Sequence, residues 1–174
     1  MTKFVKNEEI YQQVLVEKVC SATKFLWLAT ADLKDLYIKQ GQRFIPFLQI
    51  LSELVDKKIS VRLIHAKEPG AIFREEFDRY PSLFMNLERL LCPRVHFKTI
   101  IIDGLFAYTG SANLTGAGLG ARSNDKRNFE AGIITDDKML IDQMILQYDE
   151  VWMGKYCRNC KKSEMCPDKD QMII

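Results

Sequence analysis

His96-Phe-Lys98-Thr-Ile-Ile-Ile102-Asp103-Gly104-Leu105-Phe-Ala-Tyr-Thr109-Gly110-Ser111-Ala-Asn113 places two apolar runs on either side of an Asp-Gly pair. Asp-Gly between apolar runs is the strongest short signal for a two-residue hairpin turn, because both turn positions favour positive φ. Strand side chains alternate, so His96, Lys98, Ile100 and Ile102 share a face. A tight turn pairs Ile102 with Leu105, Lys98 with Thr109 and His96 with Ser111. Imidazole, ammonium, hydroxyl and the Asn113 carboxamide are thereby expected at one spot. Gly110 is read as leaving room for a ligand's approach.

Outward from this hairpin, strand and helix patterns alternate. Ile59-Ser-Val-Arg-Leu-Ile64 and Phe25-Leu-Trp-Leu-Ala-Thr30 read as strands, the second fully buried. Residues 5–20 and 44–55 carry apolar positions at helical spacing, while 32–43 are polar and irregular. Residues 71–91 look helical with a break at Pro81. After the hairpin, 114–127 is a Gly-, Ser- and charge-rich loop, Phe129–Thr135 a strand and 137–152 a helix. This alternation predicts an α/β layered domain over residues 1–154. A short cysteine-rich tail, 155–174, is expected to pack on the same domain.

The chain has 174 residues, 47% hydrophobic and 28% charged, enough for one core. A net charge of +2 neither demands nor excludes a nucleic-acid partner, since a local patch matters more than the total. No secretion signal is visible, because the start turns acidic at Glu8-Glu9. No apolar run reaches the roughly 18 residues of a membrane span, so no membrane anchor is expected. Five cysteines, an odd number, suit a reducing compartment. The reading is a cytoplasmic protein.

The residues of the hairpin suit a phosphodiester. A neutral imidazole can attack phosphorus. An ammonium and an amide donor can hold the non-bridging oxygens as charge builds on them, so the chemistry needs no metal. His65-Ala-Lys67 repeats the pair but lacks the downstream Asp, Gly-Ser and Asn, and is read as incidental.

His96-x-Lys98, Asp103 and Gly110-Ser111-x-Asn113 at this spacing resemble the HKD motif of the phospholipase D superfamily, specifically its single-motif nuclease type. The resemblance implies a phospholipase D-like layered fold, a mixed central sheet flanked by helices, and a phosphodiesterase of the endonuclease class. It implies His96 as the nucleophile of a phosphohistidine intermediate and Lys98 and Asn113 on the phosphate. Ser111 would be a supporting donor and Asp103 mainly structural. Glu130 sits where family members carry a carboxylate that orients the imidazole, with Asn128 a weaker candidate. The family's site needs two histidines, so one motif implies a homodimer with a shared site, through a two-fold axis.

The basic residues Arg94, Arg122, Lys126 and Arg127 surround the motif in sequence and favour a nucleic-acid backbone, DNA or RNA. Two other readings stay open: a phosphodiesterase acting on lipid or another substrate, and a catalytically idle nucleic-acid-binding module. Finally, Cys157, Cys160 and Cys166 fall within ten residues. With Cys92 as fourth ligand they would hold a structural zinc, Cys20 and His65 being alternative ligands and an iron–sulfur cluster the alternative occupant.

Overall fold

The computed structural model describes residues 1–34, 36–123 and 125–168. A mixed sheet of seven strands forms its middle layer, in the spatial order β1-β9-β8-β7-β2-β5-β6. These strands are β1 (Thr2–Lys6), β2 (Phe25–Thr30), β5 (Ser60–His65), β6 (Leu87–Leu91), β7 (Lys98–Ile102), β8 (Phe106–Gly110) and β9 (Ala131–Thr135). β2, β5 and β6 run parallel, and the remaining neighbours pair antiparallel. A small hairpin, β3 (Tyr37–Gln40) with β4 (Arg43–Pro46), stands apart.

Alternation along the strands assigns the two faces. Leu26 and Leu28 of β2, Val61 and Leu63 of β5 and Ile100 and Ile102 of β7 join one core. Against it pack α1 (Glu8–Ile10) with its π-helical continuation Tyr11–Val16, α2 (Phe47–Asp56), and the short α3 (Ala71–Phe77) and α4 (Pro81–Asn86). The opposite face is covered by α5 (Lys138–Trp152) through Ile141, Met144 and Tyr148. Asp137 caps α5 by accepting from Leu140 N at 3.0 Å, which satisfies one of its orphan donors. Arg62 lies over Trp27 and Trp152, 4.9 and 5.0 Å from the ring centroids, and clamps α5 to the sheet. The layered mixed-sheet fold is therefore present. Among the described residues no helix is long and apolar enough to cross a membrane.

Four local expectations give way to tertiary context. Val5 belongs to edge strand β1, paired with Gly132 of β9, and the helical segment starts only at Glu8. Leu87–Leu91 is a strand rather than the end of a helix. Its helix-favouring residues are overridden by parallel pairing with β5, which buries Leu90 and Leu91. The irregular 32–43 segment contains β3 and the start of β4, and Phe44 lies in β4 rather than in a helix. The fourth concerns register. Asp103 and Gly104 do take positive φ, and Leu105 N donates to Ile102 O at 3.0 Å. Leu105 is then left out of the ladder, so Ile102 pairs with Phe106 and Lys98 with Gly110. The expected pairing is off by one residue.

Candidate active site

Lys98 pairs with Gly110, Gly110 with Gly132, and Ala29 with Thr99. The carboxyl ends of β2 and β8 thus meet the amino ends of β7 and β9 at one end of the sheet. In open α/β sheets ligands gather beyond carboxyl strand ends. His96 lies just ahead of β7, outside its regular ladder, and is exposed. Lys98 begins β7 and is 7% exposed. Its ammonium folds back to donate to the His96 carbonyl at 2.6 Å and stands 3.3 Å from His96 Nδ1. An ammonium can only donate, so a neutral His96 beside it accepts at Nδ1 and carries its proton on Nε2. Burial pushes the Lys98 pKa below the usual lysine value, opposed by the charge of Glu130.

Asn113 is oriented by the end of β2. Its Oδ1 accepts from Ala31 N and Asp32 N at 3.1 Å each and lies 3.2 Å from the Thr30 hydroxyl. Thr30 Oγ1 in turn accepts from Leu114 N at 3.0 Å. With its oxygen so engaged, the carboxamide has its NH2 end left to donate. Thr30 escapes sequence reading because it is one hydroxyl at the end of an apolar run.

Ser111 donates to Glu130, and its hydroxyl also accepts from Ala131 N at 3.1 Å. The second Glu130 oxygen accepts from Asn128 Nδ2 at 3.1 Å. Asn7, at φ 49°, holds the Glu130 backbone from both sides, through Glu130 N to Asn7 Oδ1 at 3.0 Å and Asn7 N to Glu130 O at 2.9 Å. The partners seen for the Glu130 carboxylate are therefore Ser111 and Asn128, while Lys98 stands beside His96 Nδ1. Asn7 escapes sequence reading because it falls inside the 5–20 stretch read as helical.

Two motif positions are explained by packing. A Cβ on Gly110 would stand 2.5 Å from Ala131 O, 2.5 Å from the Tyr108 hydroxyl and 2.7 Å from the Gly132 Cα. The glycine is required by the sheet's own close approach, which corrects its reading as space for a ligand. Tyr108 is buried beneath, and burial raises its pKa to about 12, with a backbone contact at Ala112 opposing. The Asp103 carboxylate accepts from Thr23 N, Thr23 Oγ1, Lys24 N and Phe25 N at 2.7–2.9 Å and ties the turn to the start of β2. Burial alone would raise its pKa, but these bonds outweigh it and hold the carboxyl below its usual value.

The basic residues separate. Arg122 and Lys126 are exposed on the loop. Arg127 is 12% exposed at its side chain and pairs with Glu8 at 3.1 Å, so it ties the loop to α1. Arg94 donates to Tyr156 O at 3.4 Å and lines a cavity at the C-terminal segment. That cavity, about 620 Å³, is also lined by Cys92, Cys157, Cys160 and Cys166. Cys20 lies elsewhere, beside Gln40. His65 is fully buried, its Nδ1 donating to Lys67 O at 2.7 Å. Burial lowers its pKa, as expected of a core histidine.

None of the curated proteins matches the chain significantly by sequence. Solved structures share the fold. NucT from Helicobacter pylori superposes with a TM-score of 0.61 at 16% identity, over 86% of this chain and 95% of its own. Nuc from Salmonella typhimurium, a phospholipase D family member, gives 0.62 at 16% over 87% and 93%. The archaeal chromatin protein TrmBL2 gives 0.58 at 12% identity over 87% of this chain and 51% of its own. The family profile for the cardiolipin synthase, phospholipase D-like domain matches residues 15–152. With most of its length matched by that profile and His96, Lys98, Ser111 and Asn113 at one end of its sheet, the chain belongs to the phospholipase D-like family.

Proposed function

We propose that this protein is a metal-independent phosphodiesterase that cleaves nucleic acid as a homodimer, with His96 as nucleophile. The observation that carries the reading is the exposed His96 ring beside the buried Lys98 ammonium, 3.3 Å from Nδ1. An attacking group and a preset cation stand side by side, with the Asn113 amide fixed by β2 as a second donor. Such donors stabilise charge where it develops, because they need no reorganisation during reaction.

The attack forms an Nε2–phosphorus bond and breaks the bond to the leaving oxygen. It needs the tautomer with a bare Nε2 and a proton on Nδ1. Substrate phosphate would draw Lys98 off Nδ1, and Glu130 would then be the carboxylate to accept the Nδ1 proton's hydrogen bond. The leaving oxygen takes its proton from a second imidazole, His96 of the second copy. Water then attacks phosphorus, with that second ring as base, and the Nε2–phosphorus bond breaks to release the phosphate product and free His96. Phe129, 95% exposed and adjacent to Glu130, is an apolar side chain that a second copy would cover.

The names of NucT and Nuc mark them as nucleases, which supports a nucleic-acid substrate over lipid. Exposed Arg122 and Lys126 supply cations for a phosphate backbone. The test is hydrolysis of bis(p-nitrophenyl) phosphate, single- and double-stranded DNA, RNA and phosphatidylcholine in excess EDTA, with sedimentation of the same samples. The expectation is nucleic-acid cleavage by a dimer, abolished in His96→Ala. Cleavage of phosphatidylcholine alone would move the substrate to lipid. Full activity in a monomer would remove the shared site, and inactivity toward every phosphodiester with retained nucleic-acid binding would leave a binding module.

A further inference from the structure

We propose that Cys92, Cys157, Cys160 and Cys166 bind one zinc ion that fastens the C-terminal segment to the end of β6. The site is remote from His96 in function, and the proposal does not rest on the phosphodiesterase reading. Its first support is convergence across the chain. Cys92 is separated from Cys157 by 65 positions in sequence, yet all four thiols line one cavity. Each of Cys157 and Cys166 lies near enough to Cys92 and Cys160 to feel their charge.

The second support is charge. Four thiolates around Zn²⁺ leave a net charge of about −2. Arg94 lines the same cavity, and Lys162, also on its lining, donates to Pro93 O at 3.3 Å.

The third is mechanical. Residues 155–168 contain a single 3₁₀ turn, Ser163–Met165, and none of them is fully buried. A segment this short cannot build its own core, the circumstance in which a metal supplies the cross-link. Its anchor is rigid. Cys92 N donates to His65 O at 2.9 Å, and Asp168 accepts from Leu91 N at 2.9 Å. Among the described residues no three His, Cys, Asp or Glu side chains are already arranged as a metal cage. The Cys166 thiol is instead turned to Leu91 O, 3.8 Å away, as a neutral S–H would be. Each cysteine has one side-chain torsion, and the proposal requires the four sulfurs to turn inward within the cavity of about 620 Å³.

The experiment is metal analysis of the full chain purified without chelator or added metal. We expect about one zinc per chain, released by a mercurial thiol reagent and reported by a chromogenic chelator. Cobalt substitution should give the intense thiolate-to-cobalt absorption of a tetrahedral sulfur site. Cys92→Ser and Cys160→Ser should lose the metal, while Cys20→Ser keeps it. If the two variants fail to fold, the wild-type stoichiometry and cobalt spectrum decide. Less than roughly a tenth of an equivalent of zinc overturns the proposal. So does a brown, iron-containing protein, and so does a cobalt spectrum without thiolate bands. Fewer than the chain's five cysteines reacting as thiols in denatured, unreduced, demetallated protein would show a disulfide in its place and overturn it too.

Discussion

At His65 the imidazole is fully buried and Lys67 is exposed; at His96 the ring is exposed and the buried partner is Lys98. The same tripeptide pattern thus supports opposite chemistry. His65 closes β5 in the parallel half of the sheet, gives its Nδ1 proton to the Lys67 carbonyl and is held neutral by burial. His96 precedes β7 at the end of the sheet where β2, β7, β8 and β9 meet, and its ring lies beside an ammonium. A histidine inside a core contributes packing, and one at the rim beside a desolvated cation is equipped to react. The downstream residues reinforce the difference. Seven positions after His96 stands Asp103, which binds the start of β2; seven after His65 stands Ile72, 74% exposed on α3.

The largest expected contrast is kinetic. His96→Ala should lower phosphodiester hydrolysis by at least about 10³-fold. His65→Leu should leave turnover per folded molecule unchanged. A His65 variant as dead as His96→Ala, with a native circular dichroism spectrum, would break the comparison. Next come the phosphate donors. Lys98→Ala and Asn113→Ala should each cost on the order of 10²–10³ in rate, leaving slow rather than absent turnover.

The state of Lys98 can be tested by pH. The ammonium must be charged to hold phosphate, and burial lowers its pKa. The alkaline limb of the rate profile should therefore fall below the ordinary lysine value of 10.5, and Lys98→Arg should push that limb upward. A limb unmoved by the substitution would assign it to another group.

Asp103→Ala should destabilise the fold by about 3 kcal/mol in urea unfolding, since four accepted bonds are lost, while the folded fraction stays active. Because its folded pKa is depressed, that contribution is present above the unfolded carboxyl pKa and is lost as pH falls through the folded one.

The smallest effect concerns His65. Its folded pKa lies below 6.5, so between the two values the unfolded chain binds more protons than the folded one. Stability should decline as pH drops below 6.5, and His65→Leu should flatten that decline in a melting series. An unchanged slope would show that His65 does not drive it.

Much of the site was legible because its motif is local. Asp103-Gly104 makes a turn whatever surrounds it, and a hairpin necessarily returns Gly110-Ser111 toward His96. What was not legible depends on partners distant in the chain. Leu87–Leu91 favours helix by composition and becomes a strand only because β5 offers a paired edge. The one-residue shift at Leu105 has no sequence signature, though it alters every cross-strand partner of Lys98. Arg94 and Arg127 were placed with the substrate by proximity in sequence, yet packing sends one to the cysteine cavity and the other to Glu8.

By itself the sequence determined which reactive groups exist and their spacing along one hairpin, since turn geometry and strand alternation are properties of neighbouring residues. Tertiary structure alone decided which histidine is shielded from water, which lysine is desolvated, where Asn113 presents its amide and whether Cys92 reaches the tail. Each of these depends on strand order and on what packs over each end of the sheet, and those contacts join segments many residues apart.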